Sequence, residues 1–207
     1  MGKMDLNSLE ERRAFAEEFL PPGMGYEWRF AEPDEDLPLH APTATCFGAY
    51  VGHFREGGLR LPLDPLFVEL MQSTLLPFNC LGLNLIRIVS SIAAVNKKYE
   101  AHLGLREVWY CSRLMGRNHT YYFSPHNPSP ELIKGLPSSA KDVKSRLIVV
   151  TKGPVLPEGY EDFSFPCFTE KISKSSLLFA LVILGLLSRL DRSDGLDLLP
   201  GMFYRFG

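Results

Sequence analysis

Apolar positions recur at helical spacing in several places along the chain. Ser8-Leu9-Glu10-Glu11 has the S-x-x-E form of a capping box, and Leu9, Phe15, Ala16, Phe19 and Leu20 then share one face until Pro21-Pro22-Gly23 ends the run. The pattern predicts a short amphipathic helix. Asp64-Pro65 supplies an N-cap followed by proline at the first helical position, so Leu66 to Leu75 reads as a second helix. Leu83, Ile86, Ile88, Val89, Ile92, Ala93 and Val95 form the most apolar run before Asn96-Lys97-Lys98-Tyr99-Glu100, as expected of a core helix with a charged last turn. Leu105 to Met115 is a further helix candidate. Strand character belongs to Thr120-Tyr121-Tyr122-Phe123 and to Leu147-Ile148-Val149-Val150, where β-branched and aromatic residues cluster between turn formers.

These elements predict an α+β fold that is predominantly α-helical: a single compact helical domain with two short β-strands, flanked by an N-terminal helix and linker and by an apolar C-terminal helix. The expected divisions are 1–45 for the helix and a Pro/acidic linker, 46–153 for the domain, and 154–207 for a loop and apolar tail. Residues 21–42 mix proline, glycine and acids, with Glu32-Pro33-Asp34-Glu35-Asp36 at the centre, and read as a solvated linker rather than a metal site. Gly57-Gly58 reads as a turn. In the tail, 175–188 is uncharged for 14 residues. That is shorter than the roughly 20 apolar residues needed to cross a bilayer, so a docked helix is expected there in preference to membrane contact.

Charge and composition narrow the function. A formal charge of −2 provides no global attraction to nucleic acid or anionic membrane, and 45% hydrophobic residues suffice for a core without metal or disulfides. Cys46, Cys80, Cys111 and Cys167 stand more than thirty positions apart, so reduced thiols are expected and no metal site or cofactor is inferred. The charged N-terminus lacks the apolar stretch of a signal peptide, which predicts an intracellular protein, cytoplasmic or nuclear and not secreted. Nucleophile elbows and phosphate-binding loops are missing from the sequence, and no small-molecule substrate is inferred. The pairings of Cys46 or Cys111 with His53 or His119 are the best nucleophile candidates; a dispersed hydrolase or nuclease site is the remaining enzymatic alternative. A nucleic-acid site would use Lys141, Lys144 and Arg146 beside Tyr121 and Tyr122, cations holding phosphate and rings stacking bases.

One longer pattern remains. Phe54-Arg55-Glu56-Gly57-Gly58-Leu59-Arg60-Leu61-Pro62-Leu63-Asp64-Pro65 is followed by Leu83-Asn84-Leu85-Ile86-Arg87-Ile88-Val89, Asn96-Lys97-Lys98-Tyr99, Tyr121-Tyr122-Phe123-Ser124 and Leu136-Pro137-Ser138-Ser139-Ala140-Lys141. In order and spacing these blocks resemble the gypsy-type transposon domain of gag-like N-terminal regions in plant retroelement-derived proteins, over about half the chain. The chain departs from that family at Val143, where many relatives have Trp, and at Leu147-Ile148-Val149, where they have a run of Phe. The resemblance implies a non-enzymatic protein with no catalytic residue to carry over. With the apolar tail, which would prefer a partner to water, self-association is the expected role, with a homo-oligomer as the expected partner and nucleic acid as the alternative.

Overall fold

The computed structural model describes residues 6, 8–31, 47–117, 120–125, 133, 135–136 and 146–166, all within the compact unit Met1–Glu170. Helix α1 spans Leu9–Phe19, and its capping box forms as the sequence predicts: the Ser8 hydroxyl accepts from Glu11 N–H at 3.0 Å, and the Glu11 carboxylate accepts from Ser8 N–H at 3.1 Å. Phe15, Phe19 and Leu20 are buried, whereas Leu9, expected on the same face, is 65% exposed. Leu9 is the first helical residue, one turn short of the stretch that packs against the core.

The segment read as a linker contains strand β1, Glu27–Phe30, reached through a 3-10 turn over Pro22–Met24. Strand β2, Phe47–Tyr50, runs into helix α2, Val51–Arg55. Helix α3, Pro65–Thr74, starts on the predicted Asp64 cap, whose carboxylate accepts from Leu66 N–H at 3.0 Å. A 3-10 turn at Phe78–Cys80 leads to α4, Leu83–Tyr99, and α5 is Leu105–Cys111. Strands β3, Ser112–Arg117, and β4, Thr120–Pro125, form an antiparallel pair, and β5 is Leu147–Lys152.

The expectation of a predominantly helical domain with two strands is therefore corrected. The described residues hold five strands in two antiparallel sheets, of order β1-β5-β2 and β3-β4, mixed with five α-helices. Two of the missed strands, β1 and β2, are only four residues long, too short for a strand pattern to stand out from their surroundings. Both pair with β5: Phe30 and Ala49 stand opposite Ile148, and Trp28 and Phe47 opposite Val150. Consecutive burial of Ile148, Val149 and Val150 shows that β5 is covered on both faces, as suits a central strand with a continuous apolar run. The predicted helix Leu105 to Met115 stops at Cys111, because Ser112 to Arg117 is taken up residue by residue in the ladder with β4. Leu114 and Met115 favour helix locally, and the strand pairing overrides that preference.

The flanking role expected of the N-terminal helix is corrected too. Phe15 packs on Phe19, Trp28 and Phe54 with ring centroids 4.9, 6.1 and 5.5 Å away, so α1 helps to build the core. The expected apolar C-terminal helix, including 175–188, lies outside the described residues, as does most of the acidic linker. Among the described residues, no helix is long and apolar enough to cross a membrane.

Glycine is required where backbones meet. A Cβ on Gly82 would come within 2.9 Å of the Tyr121 carbonyl, which accepts a hydrogen bond from Gly82 N–H at 2.6 Å and so ties the start of α4 to β4. Gly153, at φ +110°, follows β5 with the Tyr26 ring standing where a Cβ would be. A Cβ there would overlap Tyr26 Cδ1 as well as strain the backbone. Gly153→Ala is expected to cost about 1–3 kcal/mol. Urea denaturation measures this, and a midpoint equal to that of the parent chain would contradict the packing described. The predicted turn at Gly57-Gly58 is present: Gly58 has φ +77°, and a Cβ on Gly57 would strike the His53 carbonyl and approach Ile86 Cγ2 at 2.8 Å.

Candidate functional site

The residues singled out for nucleic acid divide between two parts of the molecule. Lys141 and Lys144 lie outside the described residues. Tyr121 and Tyr122 belong to the β3-β4 pair, where the Tyr121 ring lies against Gly116. Burial, and then the nearby Cys80 sulfur, push the Tyr121 hydroxyl above the usual tyrosine range. Tyr122 is exposed. Arg146 precedes β5 in the other sheet, and its carbonyl accepts from Val51 N–H at 3.0 Å. No described contact joins Arg146 to either tyrosine.

Arg146 instead joins a cluster that sequence reasoning missed. Its guanidinium lies over the Phe30 ring, 5.0 Å from the centroid, and Arg12 lies over the same ring at 4.9 Å. Both donate to the Leu6 carbonyl, Arg12 through Nε at 3.1 Å and Arg146 through Nη1 at 3.4 Å. Arg29 donates to the Phe30 carbonyl at 3.2 Å. The same aromatic cluster takes two further arginines: Arg55 lies over Phe15 at 5.7 Å and Arg60 over Phe19 at 4.6 Å. Four of the five cation–π contacts among the described residues thus rim one group of rings. Arg12 and Arg146 are far apart in sequence, and only the packing of α1 on β1, with β1 beside β5, brings them together. The sole local signal was Trp28-Arg29-Phe30, an aromatic alternation that reads as a half-buried strand once the proline-rich surroundings are set aside.

The nucleophile candidates fare differently. Cys46 and His119 lie outside the described residues, and Cys111 is a buried free thiol at the end of α5. His53 is 1% exposed and occupies the third position of α2. Its Nδ1 accepts from Tyr50 N–H at 3.4 Å, which leaves the imidazole proton on Nε2. That nitrogen faces the Leu81 carbonyl without reaching hydrogen-bond geometry. Tyr50 and Phe78 stack edge-on to the ring at 5.4 and 5.8 Å. Burial lowers the His53 pKa to about 3, against a smaller opposing effect of the Leu81 carbonyl, so the ring is neutral at physiological pH. Cys80, 2% exposed, sits near enough to Tyr50 and Tyr121 to add to the rise that burial causes in both hydroxyls. The histidine therefore closes the helix N-terminus and fills the space between β2 and the Phe78–Cys80 turn.

No family model, curated protein or solved structure matches the chain.

As for metal, the described residues contain no group of three or more His, Cys, Asp or Glu side chains arranged to hold an ion.

Proposed function

We propose that this chain is a non-enzymatic, intracellular domain of a gypsy-type, gag-like retroelement-derived protein and that it acts by self-association. The observation that carries the reading is the use made of the reactive side chains. His53, Cys80 and Cys111 are enclosed, and the one imidazole among them serves as a helix cap and packing element rather than facing a cleft. A general base must reach its substrate's proton directly or through one water, which this burial opposes. Self-association draws support from large apolar side chains left at element ends: Leu75 is 57% exposed, Tyr99 64% and Tyr110 60%. Tyrosine contributes a large amphipathic contact area in interfaces.

The test is light scattering of the purified full chain over a range of concentrations. The expected result is a mass that rises with concentration, and a smaller rise for the doubly substituted Tyr99→Ser, Tyr110→Ser chain with unchanged circular dichroism. A protein that stays monomeric at the highest concentration overturns self-association. A mass curve unaffected by the substitutions removes the two tyrosines from the contact.

A further inference from the structure

The β3-β4 pair turns one side to the body of the protein and the other to solvent. Residues directly opposite in an antiparallel ladder project to the same side, and that side alternates along each strand. Phe123 is 7% exposed, meets Trp109 edge-on at 5.3 Å and stands opposite Leu114, so the Leu114–Phe123 side faces inward. Gly116 and Tyr121 share that side. The outer side carries three cross-strand pairs: Arg113 with Ser124, Met115 with Tyr122, and Arg117 with Thr120.

This outer side holds an aromatic ring between two cations. Arg113, Arg117 and Tyr122 are exposed, and Met115 is half-buried. Four strand positions separate the arginines by about 14 Å, with the Met115–Tyr122 pair midway between them. Among the described contacts neither guanidinium enters a hydrogen bond, an ion pair or a ring contact, so both keep their full set of donors. The acid nearest in sequence, Glu107, is engaged at the start of α5, where its carboxylate accepts from Gly104 N–H at 2.7 Å. Asn118-His119 between the strands and His126-Asn127-Pro128-Ser129-Pro130 after them add no carboxylate. On a chain whose formal charge is −2, these arginines form a local excess of positive charge.

Arginine forks bind phosphate oxygens bidentately, and a ring projecting from an exposed strand can stack on a base that no partner strand hides. We propose that the outer side of the β3-β4 pair binds single-stranded nucleic acid, with Tyr122 stacked on a base while Arg113 and Arg117 hold phosphates on either side of it. The inference does not rest on self-association through Tyr99 and Tyr110. It keeps Tyr122 from the set expected on sequence grounds, leaves Tyr121 on the inner side, and adds Arg113 and Arg117. Little sequence selectivity is expected, since phosphate and stacking contacts position a strand without reading base edges.

The experiment is fluorescence anisotropy of a labelled single-stranded RNA of about 20 nucleotides, titrated with the full chain at several salt concentrations. Affinity of the unsubstituted chain is expected to fall as salt rises, and an RNA duplex of the same length is expected to bind more weakly, because its bases are already stacked on one another. In the Arg113→Gln, Arg117→Gln chain the slope of log affinity against log salt should shrink by about 1.4, from roughly 0.7 for each phosphate that is no longer neutralised. Tyr122→Ala should lower affinity about 5- to 150-fold with the slope unchanged, and Tyr122→Phe should keep the parent affinity. Near-UV circular dichroism checks the fold of each; where a substituted chain does not fold, the salt dependence and strand preference of the unsubstituted chain decide. Binding by the unsubstituted chain that is absent or insensitive to salt, duplex binding as tight as that of the single strand, or an unchanged slope in a folded glutamine chain each overturns the proposal. So does a Tyr122→Ala affinity equal to that of the parent, a Tyr122→Phe chain as weak as the alanine chain, or retention on vesicles of anionic phospholipid without binding to the RNA.

Discussion

Phe15→Ala is expected to destabilise the protein by about 3–5 kcal/mol, the usual cost of removing a buried phenyl ring. Phe15 is fully buried and touches three aromatic neighbours, two of them from other elements, so deletion leaves a cavity between α1, β1 and α2 that no single side chain can refill. Against a total stability of about 5–15 kcal/mol for a typical domain, that loss is a large fraction. Urea denaturation followed by both far-UV circular dichroism and tryptophan fluorescence measures it, because Trp28 lies beside the deleted ring. A loss under about 1 kcal/mol would mean that α1 is an appendage after all, as the sequence pattern suggested.

The second large effect is on pH. His53 has a folded pKa of about 3 against an unfolded value near 6.5, so between those values the unfolded chain takes up a proton that the folded chain refuses. The stability conferred by the neutral ring is thus fully present above about pH 6.5 and is lost as pH falls through the window, at about 1.4 kcal/mol per unit. The loss reaches on the order of 4 kcal/mol by about pH 3.5. Between about pH 6.5 and 5 ordinary carboxylates contribute little, and the difference in slope of unfolding free energy between the parent and a chain without this ring isolates His53 from the other four histidines. His53→Phe removes the titrating group while filling the same space, although it leaves the Tyr50 N–H without its acceptor. This substituted chain should be less stable at neutral pH and show a clearly smaller slope across that window. Equal slopes in the two chains would show that some other group governs acid sensitivity.

Local chemistry that carries its own signal was legible from residues alone. The Ser8–Glu11 capping box, the Asp64-Pro65 start of α3, the long α4 run and the β-rich segments at Thr120 and Leu147 each state their conformation within a few neighbouring positions. The Gly57-Gly58 turn is of the same kind. Where reading failed, the deciding partner lay on another strand. Glu27 to Phe30 alternates over only four residues, too few to stand out among prolines and acids, and it becomes a strand because β5, more than a hundred residues later, offers it an edge. Ser112 to Met115 was expected to continue the helix and is instead held in the cross-strand ladder with β4.

The candidate site divides in the same way. Arg146 was identifiable as a cation near aromatic sequence, but its real aromatic neighbour is Phe30 and its companion is Arg12. Pairing β1 with β5 and docking α1 over them place two guanidiniums on one ring, an arrangement encoded in long-range packing rather than in spacing. The amino-acid sequence by itself determined where helices begin, where turns fall and which segments must be buried, because caps, proline, glycine and apolar periodicity act over one or two turns of chain. Tertiary structure alone decided that α1 belongs to the core, that β1 and β2 flank β5 in one sheet, and that Arg12 meets Arg146, because these contacts are settled between segments that sequence distance keeps apart.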